Sequence, residues 1–136
     1  MSPDVIRSKL IQLREVLSDL KPHISASREE QQAAHYEIER QIQLAVGSCI
    51  AIGRRLLVLK NMEVPETNRE VFIKIGEAQI INKGFAKQLA DTAGLRNLIV
   101  HEYGKIDYDR LFDGLKLGYR TFLDFSRLAE AFIKTK

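Results

Sequence analysis

The sequence has few of the residues that hold small secreted proteins or metal centres together. Its 136 residues include one cysteine, three prolines and no tryptophan. A single cysteine excludes an intrachain disulfide and any metal site that needs several thiolates. Cys49 stands in the apolar stretch 44–59, with no basic partner obvious nearby. We therefore interpret it as a small core side chain and not as a nucleophile.

Long hydrophobic runs and a secretory leader are also lacking. No apolar run reaches the roughly 20 residues that are needed to cross a bilayer. The first residues, Met1 to Asp4, do not show the basic and then apolar order of a signal peptide. We therefore expect a cytoplasmic protein that does not contact a membrane.

The composition that remains is typical of an ordinary globular protein. Hydrophobic residues make up 45% of the chain and charged residues 29%, and the formal net charge is +3. This length and balance predict one domain over residues 1–136. The positive charges are scattered along the chain, so the charge permits contact with phosphates but does not predict it.

Apolar residues recur at spacings of three and four along nearly the whole chain, which predicts helices. Lys21 and Pro22 are expected to end the first helix, and Asp107 is expected to cap the last one. Since the connections are short and no segment alternates like a strand, we predict an all-α, up-and-down bundle of about five helices. The predicted helices cover about residues 3–20, 27–60, 67–80, 83–100 and 108–132.

Two segments have the pattern of a capping box, in which a hydroxyl and a carboxylate satisfy free N–H groups at a helix start. The first begins at Ser27 with Glu30 three residues later, and the second begins at Thr67 with Glu70. Glycines interrupt the long second helix at positions 47 and 53. They either weaken it or mark a close approach of another helix.

Polar side chains crowd the end of the fourth predicted helix. At about 100° per residue, Asn97 lies near 100° and His101 near 140° from Arg96, while Tyr103 returns to within about 20° of it. The opposite side of the same helical wheel carries apolar residues, namely Leu95, Leu98 and Ile99. We expect core contacts to hold the apolar side while the four polar side chains project together from the other.

These residue types suit cleavage of RNA without a metal ion. The guanidinium of Arg96 matches a phosphate and can neutralise charge that develops on its oxygens, and His101 can take or give a proton near neutral pH. Asn97 can orient either group, and Tyr103 can donate a hydrogen bond or stack on a base. RNA supplies its own 2′-hydroxyl nucleophile, so neither a metal nor a cofactor is expected. The spacing alone also fits a structural bundle in which Arg96 and His101 only cap a helix.

The pattern Arg96-x4-His101-x-Tyr103 resembles the signature of the HepT branch of the HEPN superfamily. The segment 39–50 is similar to the long second helix of that family, and later residues agree as well. The resemblance covers most of the chain and is weakest before about Ser27. The later residues that carry it are Val71, Phe72, Leu89, the run 96–103, Ile106 and Asp107.

The resemblance implies a helical homodimer in which two copies of the motif form one ribonuclease site. Arg96 and His101 would be catalytic, with Asn97 as the polar residue after the arginine. Family members are toxins paired with a nucleotidyltransferase antitoxin of the MNT type, which attaches AMP units to the motif tyrosine, here Tyr103. The alternative is a catalytically silent helical subunit that binds the nucleotidyltransferase without cutting RNA.

Other polar residues have simpler interpretations. His23, expected in a loop, and His35 in the second helix are interpreted as surface residues or as hydrogen-bonded core residues. Glu39 and Arg40 are expected on a solvated face, although the resemblance places them near the dimer cleft. Asp107 with Asp109 could form a pair of carboxylates, but helix capping explains Asp107 more simply.

Overall fold

A computed structural model describes the backbone of residues 3–100 and 106–135, and the side chains of residues 4–97 and 106–135. Within these ranges the chain forms α-helices and no strand, which confirms the predicted all-α fold. The helices are α1 (Pro3–Ile24), α2 (Arg28–Ala33), α3 (His35–Leu59), α4 (Asn68–Glu77), α5 (Lys83–Thr92), α6 (Leu95–Val100), α7 (Tyr108–Asp113) and α8 (Leu115–Lys134).

The three longest helices form the main core, in which α1 packs against both α3 and α8. The apolar stripe predicted for α1 is wholly buried, and so is nearly all of the stripe predicted for α3. Phe125 of α8 meets Phe72 of α4 edge to face, with ring centroids 6.4 Å apart, and so joins the core to the second layer, α4 and α5. Full burial of each large apolar side chain stabilises the fold by roughly 1.5–3 kcal/mol.

Three of the five predicted helices are divided. The long second helix breaks at Ala34, whose backbone lies at φ −102° and ψ 21°, outside the helical range. The fourth divides into α5 and α6 at Ala93 and Gly94, and the fifth divides into α7 and α8 at Gly114. Of the resulting pieces, α3 and α8 remain long, whereas α2, α5, α6 and α7 have only 6 to 10 residues.

The first helix is longer than predicted, since α1 continues through Pro22 to Ile24. Proline lacks one backbone donor, and its ring clashes with the carbonyl group four residues earlier. Here Pro22 stands in the last turn, where little helix remains to be disrupted. His23 consequently lies in α1 and not in a loop, and its backbone oxygen accepts a hydrogen bond from Gln31 Nε2.

The predicted capping residues are largely confirmed. Ser27 and Glu30 form the full reciprocal box, and the Thr67 hydroxyl accepts from the backbone N–H of Glu70. The Asp107 carboxylate accepts from the N–H of Arg110 at the start of α7. These side chains satisfy donors that would otherwise be unpaired at the helix starts.

Two residues of α3 show how closely the helices pack. A methyl group at Gly53 would lie 2.9 Å from the Val71 side chain, so this glycine marks the close approach of α3 and α4. At Gly47 a methyl group would meet no atom within 4 Å among the described residues, and close approach does not explain that glycine.

Cys49 is fully buried, and burial raises the pKa of its thiol, as expected for a core residue.

By length and composition alone, α3 is the one helix among the described residues that could cross a membrane. Half of its most apolar window is buried inside the fold. A helix in the centre of a protein core passes the same test. The buried stripe of α3 shows that this helix lies in the core.

Candidate active site

Helix α6 carries the first two residues of the polar motif. Tight hydrogen bonds to the third preceding residue start it: the Arg96 N–H donates to the Ala93 carbonyl at 3.2 Å, and the Asn97 N–H donates to Gly94 at 2.9 Å. Gly94 lets the chain turn here after α5. The expected continuous helix over 83–100 is therefore wrong, while Arg96 and Asn97 are both helical residues of α6, as predicted.

The apolar side of α6 is fixed by Leu95, as expected. Its side chain lies so close to Gly114 and Gly118 that a methyl group there would come within 2.8 Å and 3.1 Å of it. The missing side chains at these two glycines make room for Leu95 at the junction of α7 and α8. Leu98 and Ile99, predicted on the same side, lie outside the residues whose side chains are described.

Arg96 and Asn97 line a common cavity of about 240 Å³ between α3, α4, α5 and α6. Its inner wall is apolar, and its rim is polar. The apolar side chains come from Val46, Ile50, Phe72, Ala90 and Ala93, and the polar ones from Asn68, Arg69, Asp91, Arg96 and Asn97. The structure thus brings two of the four predicted site residues together, while His101 and Tyr103 lie outside the described residues.

One donor of the Arg96 guanidinium is buried without a partner among the described residues. The side chain is half-buried, and the donor is its Nε atom. A buried donor left without a partner costs about 1–3 kcal/mol. Native proteins seldom retain such a donor unless a functional group, an ion or a ligand uses it.

An ion pair at the same cavity was not expected from the sequence. Arg69 of α4 contacts Asp91 of α5 with an N–O distance of 2.9 Å, and each side chain is 56% exposed. The two residues stand on different helices and are 22 positions apart. No local spacing in the sequence links them, and only the packing of α4 on α5 brings them to one cavity.

A second polar cluster lies where α3 begins. His35 Nδ1 is 2.7 Å from Glu39 Oε2 and 3.0 Å from the Tyr108 hydroxyl, which also donates to Glu39 at 3.3 Å. Glu39 is buried, so its expected place on a solvated face is wrong. The amphipathic pattern of the helix could not predict the burial of Glu39, because Tyr108, the partner of Glu39 from α7, is 69 residues away. Burial, followed by the Glu39 carboxylate, raises the pKa of Tyr108.

The carboxylates after the motif have structural partners. Asp107 caps α7, and Asp109 pairs with Arg28 at 2.7 Å. Arg28 also pairs with Asp113, and its guanidinium lies 5.5 Å from the centre of the Phe112 ring. Two carboxylates thus hold Arg28, and their hydrogen bonds raise its pKa. Within the described residues, no group of three or more His, Cys, Asp or Glu side chains could hold a metal ion.

Comparison with known proteins shows the family of this chain. The chain is 28% identical to a tRNA nuclease HepT of Aphanizomenon flos-aquae, over 99% of this chain and 94% of that protein. A 68-residue stretch, half of this chain and 51% of the relative, is 25% identical to an mRNA nuclease HepT of Shewanella oneidensis.

Solved structures share the fold. A tri-AMPylated HEPN toxin of Shewanella oneidensis in complex with an MNT antitoxin matches with a TM-score of 0.84, at 18% identity over 96% of this chain and 99% of that one. A mutant MntA toxin–antitoxin complex matches with a TM-score of 0.82, at 19% identity over 94% and 98% of the two chains. The family model described as Ribonuclease HepT-like matches residues 6–129. This chain therefore belongs to the HepT-like family of HEPN ribonucleases.

Proposed function

We propose that this protein is the ribonuclease toxin of a toxin–antitoxin pair and cuts RNA without a metal ion. The observation that carries the proposal is the family match over residues 6–129, which includes the whole segment 96–103. The cavity beside Arg96 and Asn97 and the buried, unpartnered Nε of Arg96 support it. We place the reaction in the cytoplasm, where RNA is accessible.

The reaction that suits these residues is attack of a ribose 2′-hydroxyl on the adjacent phosphorus. The bond from the 2′-oxygen to phosphorus forms, and the bond from phosphorus to the 5′-oxygen of the next nucleotide breaks. The reaction removes a proton from the 2′-hydroxyl and finally gives one to the 5′-oxygen. His101 carries out one of these proton transfers. Arg96 neutralises the charge that develops on the phosphate oxygens, and Asn97 orients the reacting groups.

The active form is proposed to be a homodimer in which two copies of the motif share one cleft. The proposed partner is a nucleotidyltransferase antitoxin of the MNT type that transfers AMP from ATP to the hydroxyl of Tyr103, with pyrophosphate as the leaving group. The relatives solved as toxin–antitoxin complexes, one of them AMPylated, support this choice. Added phosphates would occupy the guanidinium of Arg96 and exclude RNA from the cleft.

The partner and the modified residue are tested together by intact mass. The protein is mixed with the candidate antitoxin and ATP, and its mass is expected to rise in steps of one AMP. Tyr103→Phe should remove the shift, whereas the control Tyr119→Phe should keep it. A shift that persists in Tyr103→Phe would assign the modification to another residue.

Catalysis is tested by His101→Ala, assayed as a purified protein on RNA and by expression without the antitoxin. Cleavage and growth arrest are both expected to be lost while the helical circular dichroism stays unchanged. Full-rate cleavage by this variant would overturn the assignment of His101. A wild-type protein that accepts AMP but never cuts RNA would favour the silent partner-binding subunit instead.

A further inference from the structure

The cavity beside Arg96 has two chemically distinct parts. Its inner wall is built from Val46, Ile50, Phe72 and Ala90, each at most 8% exposed. Its rim carries both amides and charges, with Arg69 and Asp91 in reach of solvent. An apolar recess with a few polar groups at its edge is the usual form of a small-molecule site.

The volume limits what can enter this recess. At about 240 Å³ it is smaller than the roughly 300–1,000 Å³ of pockets that enclose drug-sized ligands. One flat heterocycle suits this space better than several linked groups do. The base of a single nucleotide is such a group, and sequence-specific proteins often bind RNA by seating an unstacked base in this way.

The rim supplies the groups that a nucleotide needs beyond its base. The guanidinium of Arg69 matches a phosphate oxygen, and it stands at the same cavity as Arg96. The carboxylate of Asp91 accepts hydrogen bonds, as the exocyclic amino groups of adenine, cytosine and guanine require. Uracil carries no exocyclic amino group and offers only its ring N3–H, so we expect Asp91 to favour adenine and cytosine over it.

We infer that this cavity is a nucleotide subsite, in which one RNA base lies on the apolar wall and donates to Asp91 while Arg69 contacts its phosphate. The inference rests on the proposed ribonuclease function and adds a base preference to it. Without RNA, Asp91 holds Arg69 at 2.9 Å at the cavity rim. The pair is exposed, so little free energy opposes its exchange for contacts with RNA.

Binding is measured on full-length protein with 2′-O-methyl octamers of A, C and U, which cannot be cleaved because their 2′-oxygens are blocked. The wild type is expected to bind the A and C octamers roughly threefold to tenfold more tightly than the U octamer, the effect of one net hydrogen bond. Asp91→Ala should remove that preference. Ala93→Leu, which narrows the cavity, should weaken A and C binding most.

Arg69→Ala is expected to act differently, because a phosphate contact does not depend on the base. It should weaken binding of all three octamers by a similar factor. It should also reduce the slope of log affinity against log salt by about 0.7, the value for one phosphate contact on a single strand. The matched control is Arg127→Ala, an exposed arginine of α8 that pairs with Asp124 and does not line the cavity.

Either of two results overturns the subsite. The first is that the wild type binds the three octamers with equal affinity or binds none of them. The second is that Arg69→Ala leaves the slope of log affinity against log salt unchanged. Cleavage of the unmodified octamers is followed in parallel. If the base preference holds but nothing is cut, the ribonuclease proposal fails and the subsite stands. If RNA is cut but neither binding effect is seen, the subsite fails and the ribonuclease proposal stands.

Discussion

Two polar clusters in this fold use their hydrogen-bonding groups in opposite ways. At the start of α3, His35, Glu39 and Tyr108 bond to one another at 2.7–3.3 Å. At the cavity, Arg96 keeps a buried Nε without a partner among the described residues. Mutual satisfaction stabilises a fold, whereas native proteins retain a buried donor without a protein partner mainly where it has a function. The comparison distinguishes a histidine held by protein partners from an arginine whose buried Nε has none among the described residues, a difference that residue type alone does not reveal.

The largest effect that the comparison predicts is on the rate of RNA cleavage by Arg96→Ala. Loss of one group that stabilises transition-state charge lowers kcat by roughly 100- to 1,000-fold. Because the Nε has no partner among the described residues, the free energy of unfolding should change little. Single-turnover cleavage and urea unfolding measure the two quantities. A variant that loses stability as well as activity would place Arg96 with the structural cluster.

Tyr108→Phe should show the opposite profile. Removing the hydroxyl takes away a hydrogen bond to Glu39 and one shared with His35, so we expect a loss of about 1–3 kcal/mol in unfolding free energy. Cleavage should continue at a similar kcat. Urea titrations of the variant and the wild type, with each protein's cleavage rate beside them, test this division.

The pH dependence of that difference has a definite sign. The pKa of Tyr108 is raised in the folded protein, so its stabilising contribution is present below the unfolded value of about 10. It is lost as pH rises through the higher folded pKa. The advantage of the wild type over Tyr108→Phe should therefore shrink in alkaline solution, and an advantage that grows there would contradict the assigned cause.

The smallest effect is expected at a helix cap remote from both clusters. Ser27→Ala should lower the unfolding free energy by about 1 kcal/mol, since it removes the acceptor for the Glu30 N–H. The hydrogen bond from the Ser27 backbone, which Ser27→Ala keeps, lowers the pKa of Glu30 most, and the Ser27 side chain lowers it further, so the difference between variant and wild type should shrink only slightly as pH falls below 4.5. Thermal unfolding of the variant at neutral and acidic pH, without change in cleavage, checks the prediction.

The sequence predicts that the secondary structure is helical, and it predicts several of the helix boundaries. Hydrophobic spacing finds the buried stripes, and side-chain chemistry finds the caps at Ser27, Thr67 and Asp107. The break at Ala34 has no local signal, because alanine is the best helix former. At Gly94 and Gly114 a signal existed, but glycine inside a periodic pattern is also tolerated in a helix.

Contacts between distant segments explain why only part of the candidate site could be predicted. Arg96 and Asn97 are neighbours in the chain, and their helical spacing predicts that they share a side. Arg69 and Asp91 reach the same cavity only because α4 packs on α5. The resemblance identifies residues of the motif, but it does not predict that Arg69 and Asp91 lie beside them.

Gly94, described above as a turn between two helices, constrains more than the backbone. A methyl group there would stand 2.9 Å from the carbonyl oxygen of Asp91, closer than atoms of this kind approach. Any larger residue at this position must push the end of α5 away from the beginning of α6. The junction that brings Asp91 and Arg96 to one cavity is thus constrained by a residue that carries no functional group of its own.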